Sequence, residues 1–140
     1  MPFYLEEARR TEAALELTVQ SIAIAERIRH RRYQSLYRTQ YSAFLLATGD
    51  LPGARESCAD AVRLARTRFP YEYAVALSGR AAVHLAEGEA EAARRLWEQA
   101  LGLFTRMGVP EREDVERRLA ALDSGTDQLR TPAGGGRMEP

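Results

Sequence analysis

The chain has 140 residues, with 20 basic and 20 acidic side chains and a formal net charge of zero. That length suits one domain with its own core, and the balance removes the simplest case for nucleic-acid or anionic-membrane binding, which a strong basic excess would make. The single cysteine, Cys58, excludes an internal disulfide, Cys/His metal spacing is absent, and no apolar run reaches the roughly 18 residues of a membrane span.

Six helices are predicted, and nothing alternates with the period of two that a strand requires. The first covers about 4–28, with Leu5, Ala8, Leu15, Val19, Ile22 and Ile28 at helical spacing and a break near Arg10–Thr11. The second, about 32–48, carries Tyr33, Tyr37, Tyr41, Phe44 and Leu45, a stripe expected to form core between repeats. Gly49-Asp50-Leu51-Pro52-Gly53 ends it: glycine supplies a left-handed stop, and proline suits the first turn of the next helix. The third, about 52–68, points Ala54, Cys58, Ala61, Val62, Leu64 and Ala65 inward and stops at Phe69-Pro70. Helices over about 71–87 and 90–107 follow, ended by Gly88 and by Gly108-Val109-Pro110. The last, about 111–123, has Val115, Leu119 and Leu122 on one side and serves as a cap. The helical domain is thus expected over 1–123, followed by a disordered tail over 124–140, too polar and glycine-rich to bury much surface.

The segment from Ala43 to Leu64 repeats itself 39 residues later. The offset pairs Ala43 with Ala82, Leu46 with Leu85, Gly49 with Gly88, Ala54 with Ala93, Arg55 with Arg94 and Ala61 with Ala100. The matches are small or apolar residues at helix-contact spacing, the mark of stacked helical hairpins. Connections of about two to five residues force antiparallel neighbours. The expected fold is all-α, a right-handed superhelical stack of antiparallel hairpins with about six helices.

Gly88, Ala93, Trp97, Ala100 and Leu101 resemble the signature of the tetratricopeptide repeat, and Gly49, Ala54, Cys58, Ala61 and Val62 form a second copy. A third copy, Ala14, Thr18, Ser21 and Ile22, supplies only the second helix of a hairpin. The 39-residue spacing exceeds the family's 34, and these copies look like the long repeats in sensor regions of bacterial transcriptional regulators. The resemblance implies a concave groove lined by the first helix of each hairpin. Its residues would be Leu36, Thr39, Gln40, Ala43 and Leu46 from one repeat, and Val75, Ser78, Gly79 and Ala82 from the next. Such a groove is shallow, mildly apolar and nearly uncharged, which suits an amphipathic helix or an extended peptide. The family's carboxylate clamp is not expected, because Thr39, Ala43 and Gly79 stand where it needs donors.

Arg27, Arg29, His30, Arg31, Arg32 and Arg38 form the sharpest charge cluster, a candidate patch for phosphate or nucleic acid. All 20 basic residues are arginine, which reads as GC-rich bacterial codon bias, so a solvated helix end is the favoured interpretation. His84 is expected as a buried neutral histidine with one hydrogen bond, and Cys58 as a small buried apolar residue. No nucleophile–base spacing, paired carboxylates or phosphate loop is present, so no catalysis and no cofactor are expected. The expected role is a non-catalytic scaffold for a protein or peptide partner, in the cytoplasm. The alternative is a sensor module of a bacterial transcription regulator, acting through a DNA-binding partner. Because no helix caps the first one, Phe3, Tyr4, Leu5, Leu15 and Val19 are expected to dimerise or to dock on a partner.

Overall fold

Apolar runs of helical period separated by three or four breaker residues leave the chain little choice but to double back repeatedly. The computed structural model describes the backbone of residues 3–135 and the side chains of residues 5–125. Its helices are α1 (Phe3–Arg27), α2 (Arg31–Ala47), α3 (Leu51–Ala65), α4 (Pro70–Ala86), α5 (Ala90–Met107) and α6 (Glu111–Gly135). No strand occurs among the described residues. No helix there is long and apolar enough to cross a membrane.

The 39-residue period reappears in the elements. α2 and α4 begin at 31 and 70 and end at 47 and 86, while α3 and α5 begin at 51 and 90. Both hairpins turn on a glycine in the left-handed region, Gly49 at φ 88° and Gly88 at φ 82°, where a Cβ would be strained. The first hairpin adds side-chain caps. His30 Nδ1 accepts from the amide of Tyr33, and Asp50 Oδ1 accepts from the amide of Gly53 at 2.9 Å, satisfying donors that a helix start leaves open.

Each helix lies against its successor, and α2 also reaches α4. The main core gathers Val62, Leu77, Trp97, Phe104, Val115 and Leu122 from α3 through α6. Trp97 is only 1% exposed, and its indole nitrogen donates to Ser78 Oγ at 3.1 Å, so the bulkiest residue is buried with its one polar group satisfied. A smaller cluster joins Ala54, Cys58 and Val83. At the other end of α4, Glu72 is almost wholly buried and accepts from Arg32 Nε at 3.1 Å, which ties α2 to α4.

Three expectations need correction. α1 does not break near Arg10–Thr11: the Thr11 hydroxyl donates to the Glu7 carbonyl one turn back, so it decorates a continuous helix. The helix packs through Thr18, Ile22 and Ala25; Leu5 and Val19, expected on an uncovered surface, are exposed, as is Ile28. The aromatic stripe of α2 is not core either: Tyr33 is exposed, and Tyr37, Tyr41, Phe44 and Leu45 are half-buried. α2 buries Ser35 and Ser42 instead, because close helix approach there selects small side chains; Ser35 Oγ donates to the Ala61 carbonyl of α3 at 2.9 Å. Finally, the backbone of α6 continues to Gly135, past the expected end at Asp123; residues 136–140 of the expected tail lie outside the described residues.

Candidate partner-binding groove

Thr39, Ala43 and Leu46 follow one another at helical steps along α2, as do Val75, Ser78, Gly79 and Ala82 along α4. Those two faces meet. All seven line one cavity of about 270 Å³, together with Ser42, Phe104, Glu111, Asp114, Val115 and Arg118. Gly79 allows the close approach of the two helices: a Cβ there would come within 2.9 Å of Thr39 Cγ2. Two expected groove residues lie elsewhere. Gln40 is exposed and Leu36 half-buried, and neither lines the cavity.

The wall from α6 was not anticipated. Glu111, Asp114, Val115 and Arg118 follow the i, i+3, i+4, i+7 pattern of one helical face. The pattern is visible in the sequence, but helical spacing alone does not say which neighbours the face will meet. The face is held in place by its own contacts. The Tyr71 hydroxyl donates to Glu111 Oε2, and that bond, with burial and the nearby negative charge, pushes the phenol up to about 12. Arg118 Nε donates to Asp114 Oδ2 at 2.9 Å, and its guanidinium lies 5.8 Å from the centre of the Trp97 ring.

Chemically the wall is quiet. Thr39 Oγ1 donates to the Ser35 carbonyl in its own helix, and Ser78 Oγ receives the Trp97 indole. Ser42 Oγ, almost fully buried, has no hydrogen-bond partner of ordinary geometry. Burial pushes the neighbouring Cys58 thiol up, and the Ser42 hydroxyl works against that shift. Cys58 itself is fully buried, in keeping with a small apolar role. What the cavity offers is an apolar floor of Ala43, Leu46, Val75, Ala82 and Phe104 with two carboxylates and one guanidinium on its α6 side.

The basic cluster does not act as one patch. Arg32 is bound to Glu72, and Arg38 is shared between Glu26 and Asp60. Arg27, Arg29 and Arg31 are exposed and make no ion pair among the described residues. His30 belongs to the α2 cap and stacks on the Tyr33 ring at 3.9 Å. His84 departs from expectation: it is half-buried rather than buried, with Nδ1 2.6 Å from Glu89 Oε1. Glu87 completes a group whose potential ligand atoms lie within 4.8 Å of one another. The Arg55 guanidinium already binds Glu87 through two nitrogens, so a cation is supplied there by the protein itself. Arg94, the counterpart of Arg55 one period on, binds Asp123 of α6 through Nη1 at 2.5 Å and Glu91 of its own helix through Nε.

No family model, no curated protein and no solved structure matches this chain.

Proposed function

We propose that the protein is a non-catalytic interaction module of tetratricopeptide-like hairpins whose α2–α4–α6 groove holds an amphipathic helix or short peptide. The observation that carries this is the convergence of seven of the nine expected groove residues on one cavity. Its volume, about 270 Å³, falls just below the roughly 300–1,000 Å³ of small-molecule sites and suits one or two anchoring side chains of a larger partner. The apolar floor would take a leucine or phenylalanine anchor. On the α6 side, Glu111 and Asp114 outnumber Arg118, which favours a partner with a cation next to its anchor. Right-handed stacking of the hairpins would give the groove its curvature, with the ties Arg55–Glu87 and Arg94–Asp123 joining successive units.

The test is a helical-peptide display library selected against the full chain, with binding read by fluorescence anisotropy. Selected peptides should pair an aromatic or leucine anchor with lysine or arginine. Ala43→Arg and Ala82→Arg, which fill and charge the floor, should each weaken them at least about tenfold, or about 1.4 kcal/mol. Peptides that bind these variants as well as the parent would remove the groove as the site.

A further inference from the structure

α1 is apolar on two sides, and its neighbours cover only one. Thr18, Ile22 and Ala25 are buried, matching Cys58, Val62 and Ala65 of α3 at an offset of 40 residues. The other side of α3 lies against α2: Ser57, at 3% exposure, donates to the Arg38 carbonyl at 2.7 Å. Its counterpart in α1 is Leu17, which is 62% exposed. Ile24 and Ile28 stand on the same side at 48% and 59%, and no described helix covers them. The positions Leu17, Ser21, Ile24 and Ile28 advance by four, three and four residues, the rhythm of a two-helix seam.

We infer that this seam pairs with α1 of a second copy, antiparallel about a two-fold axis near Ser21 and Ile22. Three features of the surface favour a copy of itself over a foreign helix. The seam is flanked by its own receptor, a groove of about 250 Å³ lined by Ser21, Ile24, Ala25, Ile28, Tyr33 and Tyr37. In the antiparallel arrangement, Leu17 of each copy drops between Ile24 and Ile28 of the other, beside that groove. Charge supplies the third. Glu16 and Arg27 are exposed, make no ion pair among the described residues, and lie 11 residues apart, close to three helical turns, so they share one flank of the seam. A two-fold axis midway between them sets Glu16 of each copy against Arg27 of the other. In a parallel two-fold pairing the same flank of the two copies falls on opposite sides of the seam, so Glu16 and Arg27 would not meet. An isologous contact of this kind closes at two copies, which leaves the α2–α4–α6 groove free on each.

Sedimentation equilibrium on the full chain tests this, at concentrations from about 1 to 100 μM. The wild type should sediment as a dimer in the upper part of that range. Ile24→Glu should be monomeric with an unchanged helical circular dichroism spectrum. Glu16→Arg and Arg27→Glu should each weaken the dimer at low salt, and the double exchange should restore it. Ser21→Cys gives an independent readout: Cys58 is fully buried, so a short bis-maleimide should link only the introduced thiols, joining two copies near the axis. A wild type that stays monomeric throughout, or a dimer indifferent to Ile24→Glu, overturns the inference. Assemblies that keep growing with concentration indicate head-to-tail contact and overturn the two-fold arrangement. Loss of the dimer leaves the groove proposal intact, because no residue of α1 lines that cavity.

Discussion

Hairpins α2–α3 and α4–α5 start their helices 39 residues apart and turn on equivalent glycines, yet they are filled differently. At matching positions the first has Cys58, within a cluster of Ala54 and Val83, and the second has Trp97, within the main core beside Phe104. Polar ties differ likewise. Ser35 and Ser57 bind carbonyl groups across α2 and α3, whereas Trp97 binds a serine side chain of α4. The comparison separates two jobs. Turn residues and small contact residues fix where helices run; a large side chain fixes how much burial holds them there. The first hairpin carries out mainly the first job, and the second does both.

The largest test of that division is Trp97→Ala, which should cost about 3–5 kcal/mol by cavity formation, against about 1 kcal/mol for Cys58→Ala. Urea unfolding followed by circular dichroism reads both, and similar losses would break the contrast. Smaller and deliberately equal effects are expected at the turns. Gly49→Ala and Gly88→Ala should each cost about 1–2 kcal/mol from the left-handed backbone alone, since no atom lies within 4 Å of an added Cβ at either position. Unequal values in the same assay would mean that the two turns are not equivalent. The smallest effect concerns Tyr71, which links α4 to α6 through Glu111 as Arg32, 39 residues earlier, links α2 to α4 through Glu72. Its phenol is raised from 10 to about 12, so folding favours the protonated form. The stability this bond contributes is complete below about pH 10 and is lost as pH rises toward about 12. Thermal melts between those limits should show a shallower decline for Tyr71→Phe than for the wild type.

Much of the fold was legible because it depends on local chemistry. Glycine after an apolar-periodic run, proline in a first turn and short polar connections stated the helix boundaries from α2 to α5 to within three residues. On α2 and α4, seven of the residues that the tetratricopeptide resemblance implies for a groove line one cavity, and helical spacing explains only why each set shares a face. The α6 side of that cavity was not legible, since nothing in Glu111, Asp114 and Arg118 reveals which helices they will stand beside. The aromatic stripe of α2 misled for a related reason. Tyr33, Tyr37 and Tyr41 have the composition of a core, but helices that approach closely exclude bulky rings and bury Ser35 and Ser42 in their place.

By itself, then, the sequence determined the all-helical character, the 39-residue period of its elements and the faces that small residues open to close contact, because each follows from neighbours a few positions apart. Tertiary structure decided which of two apolar sides of α1 is covered, that α6 walls the groove, and that Arg32 and Arg38 are bound by carboxylates up to 40 residues away. Those outcomes depend on which surfaces compete for the same space, and only the assembled helices settle that competition.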